Sequence, residues 1–210
     1  TSYNTTGTRE LNIKLTLPGE FSVYNSLCAI AVSEHFNVDD KLLLDALYNT
    51  RVAGRVEPVK VSDDFIVMID YAHNAMSLES LLSTLREYNP NRIVCLFGCG
   101  GNRSKLRRFE MGEVSGRMAD LTIITSDNPR DEDPVLIMQD IETGIKKTSG
   151  SYVMMEDRGE AVKYAIEHGE KGDIIVLAGK GHEDYQEIKG VRYHQTDKEL
   201  VQKAMEELAR

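Results

Sequence analysis

The sequence of 210 residues lacks any apolar run of about 18 residues, so it predicts no membrane-spanning helix. Its first residues, TSYNTTGTRE, contain neither a basic start nor an apolar stretch, and they predict no signal peptide. Basic residues are also scarce, because 25 Lys and Arg against 34 Asp and Glu give a formal net charge of -9. A surface of that average sign repels phosphate. This argues against a general nucleic-acid or anionic-membrane binder, but it leaves room for a local cationic site.

Cysteine is both scarce and odd in number, with Cys28, Cys95 and Cys99 only. An odd count without a secretory signal favours reduced thiols and a cytoplasmic location. Cys95 and Cys99 are too few for a zinc site, because no second pair and no histidine follows at a metal-ligand spacing. We therefore expect both to be small residues packed near a strand end, and we predict no metal site.

The segment from Phe65 to Leu208 alternates short apolar runs with stretches of helical spacing. The apolar runs are Phe65–Ile69, Ile93–Phe97, Leu121–Thr125, Tyr152–Met155 and Ile174–Ala178. The helical stretches are Leu78–Tyr88, Leu106–Met118, Val135–Lys147, Glu160–His168 and Asp197–Leu208. The runs are β-branched-rich and apolar throughout, as strands covered on both faces are. We therefore predict an α/β fold, a Rossmann-like and mainly parallel sheet with helices on both faces, to which Arg192–His194 could add an edge strand.

The first fifty or so residues follow a different pattern. Leu11–Leu17 alternates apolar and polar residues, which predicts a strand with one wet face. Two predicted helices follow, Tyr24–His35 and Asp39–Leu47, the second with Asp39 as its N-cap. One strand and two helices bury too little surface for a core of their own. We therefore predict that residues 1–52 are the tail of one domain and that residues 53–210 form the α/β domain.

Polar clusters follow each of the five predicted strands of the α/β segment. They are Asp70–Asn74, Gly98–Arg103 with Lys105, Arg107 and Arg108 beyond it, Ser126–Pro134, Asp157-Arg158 and Gly179–Glu183. Ligands of open parallel sheets bind beyond the carboxyl ends of the strands. These clusters therefore predict the position of the functional site.

Each cluster taken alone also has a purely structural explanation. The turn Gly98–Gly101 resembles a phosphate cradle, but it is not G-x-G-x-x-G, and such turns also serve tight packing. Asp127–Pro134 fits an Asx turn that caps the next helix, which leaves Arg130 unexplained, and its planar fork suits a carboxylate. A single histidine such as His73 or His182 is more often structural than catalytic. From the residues alone, we predict an α/β domain that binds a small anionic or zwitterionic ligand.

The loop sequences also resemble one enzyme family. DYAHNAMSLE, FGCGGNRSKLRR, TSDNPRDEDP and AGKGHEDYQ resemble the C-terminal domain of the Mur ligases, and in particular that of the diaminopimelate-adding (MurE-type) members. LPGEFSVYNSLCAIA is similar to the end of that family's central ATPase domain, and Gly54-Arg55-Val56-Glu57 resembles its interdomain GRxE motif. Six motifs in the family's order are far more specific than any one of them.

The resemblance implies an ATP-dependent, amide-bond-forming ligase of peptidoglycan synthesis. In that family ATP, with Mg²⁺, phosphorylates the D-glutamyl carboxylate of UDP-N-acetylmuramoyl-L-alanyl-D-glutamate, and the amine of the incoming amino acid attacks the acyl phosphate. By the same resemblance, residues 1–52 are the C-terminal tail of the central ATP-binding domain. Residues 53–210 are then the C-terminal domain that binds the amino acid, and Mg²⁺ ligands are expected mainly outside this chain.

Two sets of binding residues follow from the resemblance, and neither contains a catalytic residue. Those for the nucleotide are Asn25, Arg55, Asp70 and His73. Those for the incoming amino acid are Arg103, Asp127, Asn128, Pro129, Arg130, Gly179 and Glu183. In the second set the arginines can grip carboxylates, while Glu183 and the Asp127 region can accept from ammonium groups. Lysine lacks the distal carboxylate, so we expect meso-diaminopimelate rather than lysine.

The sequence also departs from the family pattern. Ser22 replaces an Asn, Ala75 and Met76 replace Pro and Asp, and Asn102 and Ser104 replace carboxylates. No G-x-x-x-x-G-K-[ST] phosphate loop occurs in the chain. The expectation is therefore a C-terminal fragment of a ligase about twice as long, inactive by itself.

Three alternatives stay open from the sequence. The first is a lysine-adding or peptide-adding Mur ligase, and the second is a non-catalytic amino-acid-binding module. The third is an unrelated dinucleotide-binding oxidoreductase, which is weakened because no acidic residue lies about 20 residues beyond a proper G-x-G-x-x-G.

Overall fold

The computed structural model describes residues 1–6 and 9–209 of the chain. The chain divides into two compact units, Thr1–Val52 and Ala53–Arg210. No helix within the described ranges is long and apolar enough to cross a lipid bilayer.

The unit Thr1–Val52 contains two short strands and two helices. They are β1 (Ser2–Asn4), β2 (Asn12–Lys14), α1 (Glu20–His35) and α2 (Asp40–Asn49). The strands pair antiparallel and the side chain of Asp39 accepts from the backbone N–H of Leu42, so Asp39 caps α2 as its position suggests. The paired part of the predicted strand Leu11–Leu17 is only three residues long, because β1 offers only three partners.

The unit Ala53–Arg210 is built on a six-stranded sheet. Its strands are β3 (Glu57–Val59), β4 (Ile66–Asp70), β5 (Ile93–Phe97), β6 (Leu121–Ile124), β7 (Tyr152–Met154) and β8 (Ile174–Ala178). Their order is β3-β4-β8-β5-β6-β7, and all neighbours are parallel except β3, which pairs antiparallel with β4 at one edge. Every residue of the central strands β5 and β8 is buried, as expected of strands covered on both faces. The predicted α/β fold with a mainly parallel sheet is confirmed.

Five helices accompany this sheet. They are α3 (Ala75–Arg86), α4 (Lys105–Met118), α5 (Pro134–Ile145), α6 (Arg158–Glu167) and α7 (Asp197–Leu208). Helices α6 and α7 pack with Val94 and Leu96 of β5 in one hydrophobic cluster. Helix α4 packs between α3 and α5 in a separate helical layer. Because β4, β8, β5, β6 and β7 are parallel, their carboxyl ends and the loops that follow them lie at one end of the sheet.

The strands β9 (Tyr185–Ile188) and β10 (Val191–His194) form an antiparallel hairpin that is separate from the six-stranded sheet. The prediction that Arg192–His194 could add an edge strand to the sheet is wrong, because this segment pairs with β9. The hairpin loop is Lys189-Gly190, and both residues have a positive φ, of 49° and 77°. Two such residues suit a type I′ turn, which matches the twist of the flanking strands.

Candidate functional site

A cavity of about 300 Å³ lies beyond the carboxyl ends of the parallel strands, and loops after β4, β5, β6 and β8 line it. It brings together six residues of the predicted amino-acid set: Arg103, Asp127, Asn128, Arg130, Gly179 and Glu183. His73, of the predicted nucleotide set, also lines the cavity. Pro129, the seventh residue of the predicted amino-acid set, instead lines a second cavity of about 860 Å³. Arg130 lines both cavities.

Asn128 lines the first cavity, and its side chain connects three of the surrounding segments. It is only 3% exposed. Its side-chain Oδ1 accepts from the backbone N–H of Glu187 at 2.9 Å, and its Nδ2 donates to Oε2 of Glu183 at 2.9 Å. The amide thus joins the loop after β6 to the hairpin strand β9 and to the loop after β8. Because both ends of the amide are used, the orientation of Asn128 is fixed by its neighbours.

Asp127 places a carboxylate at the floor of the cavity, where it is 8% exposed. Burial raises the pKa of Asp127, while the positive charges of Lys180 and Arg158 oppose that rise. Gly179 lies against this carboxylate with φ at 105°, and a Cβ there would come within 3.2 Å of Asp127 Oδ2. A glycine at this position therefore keeps the approach to the carboxylate open.

Glu183 supplies a second carboxylate. The hydroxyl of Tyr71 donates to its Oε1 at 3.3 Å, and Asn128 donates to its Oε2. The ammonium of Lys180 lies 3.7 Å from Oε2 and is itself fully buried, donating to the backbone oxygen of Tyr185 at 2.5 Å. The positive charge of Lys180 therefore stabilises the Glu183 carboxylate.

Three arginines form another part of the cavity wall. Arg103 is exposed and Arg107 is half-buried, and both line the cavity at the N-terminal end of α4. Neither forms an ion pair with any residue in the described part of the chain. The third cation, Arg130, lies 3.5 Å from Glu187 and donates to the backbone oxygen of Gly101 at 2.9 Å.

The hairpin holds Arg130 in place. The backbone N–H of Arg130 donates to the oxygen of Glu187 at 2.9 Å, and its own oxygen accepts from Lys189 at 2.8 Å. Arg130 also adopts a left-handed φ of 52°, which is uncommon for a side chain of this size. The surrounding backbone hydrogen bonds therefore maintain a strained conformation at the cavity wall.

Arg108, next to Arg107 in sequence, has a different role. It is 1% exposed and pairs with both oxygens of Glu132, at 2.7 and 2.9 Å, and with Asp140 at 2.9 Å. These contacts join α4 to the loop after β6 and to α5. Arg108 therefore links the elements that surround the cavity, and its charge is already paired with Glu132 and Asp140 and not available to a ligand.

The predicted nucleotide residues lie in different surroundings. Arg55 is exposed, with its guanidinium 4.9 Å from the ring centre of Tyr71, and Nδ1 of the exposed His73 contacts the backbone oxygen of Tyr71 at 2.8 Å. Asp70 is buried, and its two oxygens accept from the backbone N–H groups of Val56 and Ala72, at 2.8 and 2.7 Å.

Burial raises the pKa of Asp70, although those two backbone hydrogen bonds lower it. The fourth predicted nucleotide residue, Asn25, is exposed on α1 of the unit Thr1–Val52. Asn74, whose neighbours Ala75 and Met76 depart from the family pattern, forms a capping box with Ser77 at the start of α3.

The chemistry available in the first cavity is binding. Cys99 lines it, but burial raises the pKa of that thiol to about 12, so it stays protonated near neutral pH. Two carboxylates and three arginines line the cavity, and this combination of charges complements a zwitterion. No group of three or more His, Cys, Asp or Glu side chains that could hold a metal ion occurs in residues 1–6 and 9–209.

The two predicted sets of binding residues omit six residues that line this cavity: Tyr71, Gly98, Cys99, Gly100, Arg107 and Tyr185. All of them except Tyr185 lie in or directly after the polar clusters that predicted the position of the site. Arg107 belongs to the run of cations that follows Gly98–Arg103 in the sequence, and it lies in the first turn of α4. Tyr185 had no comparable signal, because the polar sequence YQEI does not predict the strand β9.

A family model described as Mur ligase, glutamate ligase domain, matches residues 54–181. The UDP-N-acetylmuramoyl-L-alanyl-D-glutamate–2,6-diaminopimelate ligase of Caldanaerobacter subterraneus subsp. tengcongensis is 46% identical over 195 residues, covering 93% of this chain and 40% of that protein. The ligase of the same name from Aquifex aeolicus is 41% identical over 197 residues, covering 94% of this chain and 40% of that protein. The chain therefore spans about two fifths of the length of these curated relatives.

Solved structures show the same similarity. A structure of a UDP-N-acetylmuramoyl-L-alanyl-D-glutamate–2,6-diaminopimelate ligase is 34% identical with a TM-score of 0.72, covering 100% of this chain and 43% of that one. The UDP-N-acetylmuramate-alanine ligase of Thermotoga maritima is 20% identical with a TM-score of 0.69, covering 98% and 41%. At that lower identity the match shows the shared fold alone.

Proposed function

The chain belongs to the Mur ligase family through its glutamate ligase domain, and from that premise we propose that it is the part of a diaminopimelate-adding ligase that binds the incoming amino acid. The whole ligase would join meso-diaminopimelate to UDP-N-acetylmuramoyl-L-alanyl-D-glutamate in the cytoplasm, using ATP, as a step of peptidoglycan synthesis. Relatives that are 46% and 41% identical and carry that name support the proposal.

The single observation that carries the proposal is the charge pattern of the 300 Å³ cavity. Asp127 and Glu183 can accept hydrogen bonds from ammonium groups, and Arg103, Arg107 and Arg130 can pair with carboxylates. meso-Diaminopimelate has an amino-acid group at each end, so it offers both kinds of partner twice. Lysine has only one carboxylate, and binding lysine would leave part of the arginine wall unpaired.

Arg55 and His73 fit the nucleotide role better than Asp70 does. Arg55 is exposed and forms no ion pair with any residue in the described ranges, so its charge is available to a phosphate. Each oxygen of Asp70 accepts from one backbone N–H group, that of Val56 or that of Ala72. We therefore propose that Asp70 also positions the segment Arg55-Val56.

ATP would supply the activation of a carboxylate for attack by an amine, and the residues of this chain would deliver that amine. The arginines fix the carboxylates of the amino acid, while Asp127 and Glu183 orient its ammonium groups. We propose that the Mg²⁺ ligands lie mainly outside this chain.

Calorimetry on the 210-residue chain tests the proposal. We expect meso-diaminopimelate to bind and L-lysine to bind at least about tenfold more weakly, because a cavity arginine without its carboxylate partner loses a charge-assisted hydrogen bond. A preference for lysine would assign the chain to the lysine-adding alternative, and no binding of either amino acid would contradict the proposal.

Two arginines provide the matched variants for this experiment. Arg103→Ala removes a cation that lines the cavity just before α4, and we expect about tenfold weaker binding of meso-diaminopimelate. Arg117→Ala removes an arginine in the last turn of α4, where it pairs with Glu79. Equal losses in the two variants would place the binding site elsewhere.

A further inference from the structure

Tyr71 contacts residues of both predicted sets, Arg55 and His73 of the nucleotide set and Glu183 of the amino-acid set. It follows β4, is half-buried and lines the 300 Å³ cavity. Its ring centre lies 4.9 Å from the guanidinium carbon of Arg55, 4.8 Å from the ring of His73 and 5.1 Å from the ring of His182. These contacts restrict the plane of the tyrosine ring and therefore the position of its hydroxyl.

The hydroxyl of Tyr71 makes one hydrogen bond, to Oε1 of Glu183 at 3.3 Å. Burial and the nearby charge of Glu183 both raise the pKa of Tyr71, so the hydroxyl stays protonated near neutral pH and acts as the donor. The other oxygen of Glu183 accepts from Asn128 at 2.9 Å, with Lys180 at 3.7 Å. The carboxylate is thus held at both oxygens by groups from three different loops.

A glutamate side chain has three rotatable bonds, and restraint at both oxygens removes much of that freedom before a ligand arrives. A carboxylate that is already oriented loses less conformational entropy when it accepts a hydrogen bond from an ammonium group. Without the tyrosine hydroxyl, Oε1 would lose its donor and Glu183 would be held at one oxygen only.

We propose that Tyr71 is a positioning residue for ammonium recognition, because its hydroxyl orients the Glu183 carboxylate toward an amine in the cavity. This inference rests on the proposed function. Tyr71 itself need not touch the ligand. The effect of Tyr71 is selective, because it strengthens only the hydrogen bond that Glu183 accepts from an amino group of the ligand.

Titration of the 210-residue chain with three ligands tests this selectivity. The ligands are meso-diaminopimelate and the two enantiomers of 2-aminopimelate, each of which lacks one of the two amines. We expect Tyr71→Phe to weaken meso-diaminopimelate and one enantiomer about tenfold, as for loss of a hydrogen bond to a charged group. The other enantiomer, which brings no amine to Glu183, should change less than about twofold.

The control is Tyr164→Phe, which should change none of the three affinities. The Tyr164 ring also stacks on a histidine, His168 at 4.1 Å, but its hydroxyl has no hydrogen-bond partner in the described part of the chain. Equal weakening of all three ligands by Tyr71→Phe would indicate a merely structural role and overturn the inference. No change in any of them would overturn it as well.

A spectroscopic measurement separates this inference from the proposed function. With ¹³C-labelled glutamate, the carboxyl resonance of Glu183, assigned by its absence in Glu183→Gln, should shift in Tyr71→Phe even without ligand. If that shift occurs but the wild-type chain binds no diaminopimelate, the proposed function fails while the contact stands. An unshifted resonance contradicts the positioning role directly.

Discussion

The carboxylate of Asp127 is 8% exposed, and burial raises its pKa above the ordinary value of 3.8 despite the opposing charges of Lys180 and Arg158. A raised pKa means that the folded state favours the neutral acid. The stabilisation from that preference is present below the unfolded pKa and is lost as the pH rises through the folded pKa. Ionisation of Asp127 in the folded state therefore lowers the free energy of unfolding.

We predict opposite effects of Asp127→Asn on stability and on binding. The variant removes the buried charge, so its free energy of unfolding should exceed that of the wild type at pH 7, and the difference should shrink on acidification. Its affinity for meso-diaminopimelate should fall about tenfold or more, because an ammonium group loses a charged acceptor. Denaturant unfolding and calorimetry measure the two effects.

The isosteric control is Asp63→Asn, at a carboxylate whose side chain is 91% exposed. It should change neither quantity appreciably. A loss of stability in Asp127→Asn at pH 7 would show that the carboxylate is held by favourable interactions that outweigh its burial.

The types of the cavity residues were predictable from the sequence, but their contacts were not. The motifs preserve the order and spacing of Asp127, Asn128 and Arg130, and the cavity contains all three. Neighbouring arginines show the limit of such reasoning. Arg107 lines the cavity while Arg108 is buried against Glu132 and Asp140, because the loop after β6 closes over one face of α4. Helical spacing alone does not reveal which face a distant loop will cover.

At the scale of elements, the buried strands were the most predictable. Ile93–Phe97 and Ile174–Ala178 have the predicted bounds, since a central parallel strand is an uninterrupted apolar run. The strands β3, β9 and β10 are partly or wholly exposed, and their sequences carry no such run. Their pairing is decided by tertiary contacts, of which the hydrogen bonds between β9 and Arg130 are one example.

The packing of α4 against α5 gives a prediction at this scale. A Cβ at Gly144 of α5 would lie 2.0 Å from the backbone oxygen of Phe109 on α4. Alanine favours a helix over glycine by about 1 kcal/mol, but backbone atoms cannot move aside as a side chain can. We therefore expect Gly144→Ala to lower the free energy of unfolding by about 1–3 kcal/mol in denaturant titrations.

Gly159→Ala in α6 is the matched control, because its added Cβ would approach only side chains, at 3.0 Å from Asp157 and 3.5 Å from Leu200. It should not lower the free energy of unfolding by more than about 0.5 kcal/mol. If Gly144→Ala proved as well tolerated as this control, the close approach of α4 and α5 would not be required for stability.

At the scale of the whole molecule, the net charge is negative although three arginines lie together at one site. The chain has a net charge of -9, yet Arg103, Arg107 and Arg130 converge on one cavity. Composition alone argues against a general polyanion-binding surface, but it cannot locate three arginines that come from the loop after β5, helix α4 and the loop after β6. That placement follows from the parallel sheet, which brings the carboxyl ends of β5 and β6 side by side.

The two units have separate cores of different size, and this leads to a prediction for the whole chain. The cluster in Thr1–Val52 contains five buried hydrophobic residues, whereas the sheet cluster in Ala53–Arg210 contains thirteen. A smaller core supplies less stabilisation, so amides of Thr1–Val52 should exchange with solvent at lower opening free energies than those of β5 and β8. Native-state hydrogen exchange measures both.

The same experiment with ligand tests whether the units open independently. At a meso-diaminopimelate concentration of about 100 times Kd, linkage predicts a gain of about 2.7 kcal/mol in the opening free energy of the most protected amides of Ala53–Arg210. Amides of Thr1–Val52 should gain nothing, because the cavity lies wholly in the larger unit. An equal gain in both units would mean that they unfold as one cooperative body. L-Lysine at the same concentration, which should protect neither unit to that extent, controls for general effects of an added amino acid.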